Sequence, residues 1–189
     1  VLDAAASDTV WYDLEGRALL PGFNDNHFHA VSGGLRDKAA DLSGLDADAI
    51  IQSVQAQIDA SPTRSYVQGY GWDYTACPNP HRSLLDEHFP DIPVFLTQFS
   101  GHAVWTNTRG LELMGLLTKQ TTRGETVLFD DNGPTGVVRE AGRNRYLRKQ
   151  YRKRSSDPER IRTALKTILA GLARAGITTV QDNTWYRKP

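Results

Sequence analysis

The sequence predicts an α/β fold, and three observations carry that prediction. A helical stripe of Ile161, Leu165, Ile168, Leu169 and Leu172 is followed by Gly176 and then by the β-branched run Ile177-Thr-Thr-Val-Gln181, one helix-to-strand step. Two further β-branched or aromatic runs, residues 65–70 and 92–99, are bounded by Gly and Pro and follow a separate helical stripe. Strands that alternate with helices favour an α/β sheet or barrel.

In chain order, residues 17–23 read as a strand entering a loop, after the turn-like Gly16. Ile50, Val54 and Ile58 recur every four residues and predict a helix from about Asp46 to Ala60, ended by Ser61-Pro62. Runs 65–70 and 92–99 are the next strands, and Asn107–Leu117 reads as a short helix. Two strand-like runs, 126–129 and 134–138, flank the Asn132-Gly133 turn signal and predict a β-hairpin. Ser156-Asp-Pro-Glu159 has the form of a capping box with Pro in the first turn, which starts the last helix.

Composition narrows the class. Over 189 residues, 39% are hydrophobic and 23% charged, and no apolar run approaches the ~18 residues that cross a bilayer. With Cys77 alone, no intrachain disulfide can form. No signal-peptide pattern opens the chain, so a cytoplasmic protein without membrane association is expected, although there is no initiating Met. The zero net charge is a cancellation: residues 1–100 carry 5 basic and 14 acidic side chains (−9), and residues 101–189 carry 17 and 8 (+9). Much of the positive excess lies in the stretch 139–162, which raises a polyanion- or nucleic-acid-binding module as an alternative reading. The plainer reading is a solvated helix face that pairs with acidic surface elsewhere, and it is preferred because no binding motif accompanies the charge.

The segment Phe23-Asn-Asp25-Asn-His27-Phe-His29 is the most informative for chemistry. In an extended chain Asp25, His27 and His29 share one face, so two imidazoles can converge on one cation with a carboxylate nearby. Neutral imidazole nitrogen is a good ligand for zinc and related divalent metals. An isolated His-x-His pair is also compatible with two ordinary surface histidines.

Leu20-Pro-Gly-Phe-Asn-Asp25-Asn-His27-Phe-His29 resembles the opening of the metal-dependent amidohydrolase superfamily. Further stretches resemble its amidohydrolase 3 branch, that of the YtcJ-like hydrolases and N-substituted formamide deformylases, in the same order along the chain. They are Gly69-Tyr-Gly-Trp-Asp73, Arg82 to Leu85 before Asp86, Ser100-Gly-His102 with Trp105 and Asn107, Asn132-Gly-Pro-Thr-Gly136 with Glu140, and Ala175 to Asp182. Asn24, Asn26 and Phe28 depart from the family pattern, on the face away from the ligands.

The resemblance implies an incomplete (β/α)8 TIM-like barrel with an inserted β-hairpin and helical subdomain. Residues 1–19 would be a remnant of an N-terminal β-domain and linker, and residues 20–189 the opening of the barrel, with the insertion at about 64–155. It also implies hydrolysis of non-peptide carbon–nitrogen bonds in a small amide-like substrate by metal-activated water, with one or two divalent ions, zinc being expected, held partly by His27 and His29. The proton-moving Asp is expected beyond Pro189, so the segment alone is expected to be inactive. Homo-oligomerisation is a further possibility.

His102 follows a strand in a Gly-containing loop, and it either faces substrate or hydrogen-bonds its own loop. Trp72 and Asp73 also follow a strand and are substrate-binding candidates, with aromatic packing the preferred alternative for Trp72. Asp25, Glu140 and Asp182 are subsidiary candidates; for Glu140 the simpler account is a carboxylate at a helix N-terminus. Histidines 81 and 88 lack motif support and are expected at the surface.

Overall fold

Val94, Phe95 and Leu96 form an uninterrupted apolar run, the mark of a strand covered on both faces. The computed structural model of the protein describes residues 5–36, 39–118, 125–140 and 157–183 and places this strand, β4 (Val94–Gln98), inside a six-stranded sheet. The other five strands are β2 (Ala40–Asp41), β3 (Val67–Trp72), β5 (Ala103–Thr106), β6 (Glu125–Asp130) and β7 (Gly133–Arg139), in the order β2-β3-β4-β5-β7-β6. The pairs β2–β3 and β3–β4 are parallel, and the remaining three are antiparallel.

Side-chain alternation gives this sheet two cores. Val94, Leu96, Trp105 and Val137 join Leu42, Ile50, Val54 and Leu85 on one face, the face covered by α2 (Ala47–Asp59) and α3 (Arg82–His88). Phe95, Val104 and Val138 point the other way, to Leu111 and Met114 of α4 (Thr108–Met114). The helix α2 starts at Asp46, whose carboxylate accepts from the Ala49 N–H at 2.9 Å, and it buries Ile50 and Val54 of the predicted stripe together with Ile51, while Ile58 is half-buried.

A second, two-stranded sheet pairs β1 (Phe23–Phe28) in parallel with β8 (Ile177–Asp182). The first helix, α1 (Ala30–Gly34), follows β1, and α5 (Pro158–Arg174) precedes β8; the helices pack through Val31, Leu35 and Ala164. The N-cap of α5 is Asp157, which accepts from the N–H groups of Glu159 and Arg160, in place of the expected Ser156, which lies outside the described residues. Gly176, at φ 77°, makes the left-handed turn into β8.

The α/β class therefore holds. Barrel closure is not seen among the described residues, where β1 and β8 stand as a pair. Residues 17–22, expected to begin a strand, have no regular structure, and the strand starts at Phe23. The mixed sheet begins at Ala40, upstream of residue 64. Most of the basic stretch, residues 141–156, lies outside the described residues. No described helix is long and apolar enough to cross a membrane.

Candidate functional site

His27 lies on β1 and His29 is the residue that caps α1, so both stand where the strand runs out at its carboxyl end. Both rings are exposed, with centroids 5.4 Å apart and planes at 79°. The simple alternation expected for Asp25, His27 and His29 is interrupted. Asp25 pairs with Val180 and Phe28 with Asp182, so three steps along β1 match two along β8, and a bulge falls between them. This explains why Asp25 and Phe28, three apart, are the half-buried residues of the strand.

One oxygen of Asp25 accepts from the His27 backbone N–H at 3.0 Å, which stiffens the bulge. Asp182 ends β8 at the register position of Phe28, and the next residue, Asn183, donates its N–H to the Phe28 carbonyl at 2.8 Å. The parallel pairing thus brings His27, His29 and Asp182 to the same end of the small sheet. Among the described residues, no group of three His, Cys, Asp or Glu side chains is arranged to hold a metal ion. Two adjacent exposed imidazoles suit two positions of a divalent-cation site; further ligands are needed to complete it.

The remaining candidates lie at one end of the mixed sheet. Trp72 is fully buried, donates its indole N–H to the Leu96 carbonyl at 2.7 Å and meets the Trp105 ring edge-on at 6.1 Å, so it packs the core. Asp73 caps the turn that follows, accepting from the N–H groups of Thr75 at 2.7 Å and Ala76 at 3.1 Å. These backbone bonds, that from Ala76 first, hold its carboxyl below the ordinary aspartate range. His102 Nδ1 lies 3.5 Å from a Glu140 carboxylate oxygen, which joins two candidates that sequence treated separately. Cys77 is buried, and burial, with Asp46 and Asp73 nearby, pushes its thiol pKa up, away from reactivity.

Histidines outside the motif also acquire roles. His81 caps α3, its Nδ1 accepting from the Ser83 N–H, while Nε2 faces an Asp130 oxygen at 3.2 Å without hydrogen-bond alignment. His88 Nδ1 lies 3.2 Å from the Leu84 carbonyl oxygen. A further contact ties the end of α1 to the mixed sheet: the Arg36 guanidinium, two residues past α1, lies 3.8 Å above the Tyr70 ring. Tyr70 in turn donates its hydroxyl to the Phe99 carbonyl at 2.6 Å. No local pattern in the sequence announces a contact between residues so far apart.

A family model described as the amidohydrolase family matches residues 11–189. The chain belongs to this family. Its relatives place it in the amidohydrolase 3 branch. The putative amidohydrolase YtcJ of Bacillus subtilis is 31% identical over 69% of this chain and 26% of its own length. The N-substituted formamide deformylase of Arthrobacter pascens is 30% identical over 76% of this chain and 28% of its own. An uncharacterized metal-dependent hydrolase from Pyrococcus horikoshii superimposes with a TM-score of 0.55 and 25% identity, covering 85% of this chain and 30% of that one. The chain thus spans 40% or less of the length of the curated relatives it matches.

Proposed function

We propose that this amidohydrolase-family chain carries the opening ligand strand of a metal-dependent hydrolase that cleaves non-peptide carbon–nitrogen bonds of small amides. The observation that carries the reading is the His27–His29 pair, with rings 5.4 Å apart at the carboxyl end of β1. Active sites of barrel enzymes are built at that end of the strands. The β1–α1 and α5–β8 units would be early steps of the barrel, and the mixed sheet the unit inserted between them.

His27 and His29 would hold a divalent cation, zinc in our reading, as one ion or part of a pair. A cation held there would supply Lewis acidity toward an amide carbonyl and a water. The residues of this chain orient the site. Asp25 fixes the strand bulge through the His27 N–H, and the His29 carbonyl accepts from the Gly33 N–H at 2.8 Å, which anchors that residue to α1. Two imidazoles fall short of the three protein ligands usual in a catalytic zinc site, and we assign the missing ligand and the proton-moving Asp to later strands of the same barrel.

Metal analysis and hydrolysis assays on the full-length protein test this, with N-substituted formamides among the amides screened. The double variant His27→Ala/His29→Ala is expected to lose both bound metal and hydrolysis. Undiminished metal content and turnover in that variant would reject the proposal.

A further inference from the structure

The register of β1 against β8 sorts the side chains of the small sheet onto two faces. Asp25 pairs with Val180 and Phe28 with Asp182. Residues paired across a ladder put their side chains on the same face, and neighbours along a strand alternate. One face therefore carries Asp25, Phe28, Val180 and Asp182, and Asp25, Phe28 and Val180 are its half-buried members.

The opposite face is the open one. At the bulge two residues of β1, Asn26 and His27, stand across from Gln181 alone. The ladder runs one step beyond β8, where the Asn183 N–H donates to the Phe28 carbonyl at 2.8 Å and sets Asn183 beside His29. The His27 and His29 rings, with centroids 5.4 Å apart, both lie on this face, and Gln181 and Asn183 are exposed as the two rings are. Two side-chain amides thus flank two imidazoles from the adjacent strand, at the ordinary strand spacing of about 4.8 Å. Asp182, between the amides in sequence, belongs to the face of Phe28.

A metal-ligating imidazole binds through one nitrogen and keeps a proton on the other, and the group that accepts from that N–H fixes the tautomer and the direction of the ring. Asp25, the nearest carboxylate in β1, sits on the half-buried face and turns Oδ1 to the His27 backbone N–H. The side-chain oxygens of Gln181 and Asn183 are on the right face for the task. A neutral amide oxygen also competes poorly with imidazole for a zinc-like cation, so these groups suit the orienting role better than that of a ligand.

We propose that Gln181 and Asn183 are positioning residues for the imidazole pair, their side-chain oxygens accepting from the ring N–H of His27 and His29 when a divalent cation is held. The inference rests on the hydrolase reading above and adds to it the residues that orient its first two ligands.

The test is the zinc affinity of the full-length protein, measured by competition with a chromophoric chelator, a readout independent of turnover. Gln181→Ala and Asn183→Ala are each expected to weaken zinc binding about tenfold or more. Gln181→Glu and Asn183→Asp, which keep an acceptor oxygen in the same place, should restore the affinity or tighten it; a role confined to strand packing predicts no such rescue. Thr179→Ala, on the same strand at the register of Asn24, should bind zinc as wild type does. Unchanged affinity in both alanine variants, or equal losses in the alanine and the acidic variants, would overturn the proposal, and the hydrolase reading stands in either case as long as His27→Ala/His29→Ala loses its metal. Undiminished metal in that histidine variant would instead defeat the hydrolase reading.

Discussion

Asn107 is fully buried at the end of β5 and uses its whole side-chain amide. Its Oδ1 accepts from the N–H groups of Val94 at 3.1 Å and Gly110 at 3.0 Å, and its Nδ2 donates to the carbonyls of Phe89 and Ile92, both at 2.8 Å. One side chain therefore caps α4, secures the start of β4 and fastens the loop leaving α3. Asn107→Ala removes four bonds at once and leaves their partners in a place water cannot readily reach. At about 1 kcal/mol per bond the loss is about 4 kcal/mol, rising if the stranded groups bear their full desolvation cost. That is a large part of the 5–15 kcal/mol typical of a domain, and it corresponds to a Tm drop of about 8–16 °C for a chain of this size. Urea unfolding followed by the fluorescence of buried Trp72 and Trp105 reads it directly. Asn107→Ser should recover only about 1 kcal/mol, since a hydroxyl can cap α4 but cannot span the other three partners. An Asn107→Ala protein within about 1 kcal/mol of wild type would refute the reasoning.

Two further outcomes are expected. Asp73 has a folded pKa below its unfolded value, so its turn-capping contribution is present above about pH 4, the ordinary aspartate pKa, and is lost as pH falls through the lower folded value. The Tm gap between wild type and Asp73→Ala should therefore narrow on acidification from about pH 6 to about pH 3; a gap independent of pH would count against the capping role. Gly34 lies where α1 crosses α5, and a Cβ there would come within 2.8 Å of the Ala164 carbonyl oxygen and 3.0 Å of the Ala164 Cβ. Gly34→Ala should destabilise the α1–α5 contact by about 1–3 kcal/mol, seen as faster amide exchange in both helices, and unchanged exchange would show that the helices can separate at no cost.

Some of this architecture is written locally in the chain. The helix α2 was legible because its stripe and its Asp46 cap agree, and the β6–β7 hairpin because Asn132-Gly133 sits between two β-branched runs. The helix α3 was not, since its cap is His81 instead of Ser, Thr or Asp, and β2 was not, since two residues form a strand only by pairing with β3. The His27–His29 pair could be read from spacing, but the bulge beneath it depends on β8, some 150 residues on in the chain. Trp72 shows the same limit: whether its indole lines a cleft or fills the core is decided by the Leu96 carbonyl, 24 residues away.

The two sheets bear on the site in different ways. The mixed sheet has cores on both faces and holds the His102 loop by a dense set of hydrogen bonds, so that end of the molecule is rigid by construction. The β1–β8 pair is thin, with Phe23 59% exposed, and a two-stranded sheet has little stability of its own. Its support comes from the helices α1 and α5 that flank it, which pack on each other at Val31, Leu35 and Ala164, and from Arg36 over Tyr70. His29 is the residue at which this support enters the strand, because it caps α1 while standing beside His27. Helix packing at α1 and one cation–π contact just beyond it thus join the β8-dependent bulge in bearing on the backbone that carries the paired imidazoles. A change at Tyr70 or Gly34 would act on the His27–His29 geometry without touching either ring.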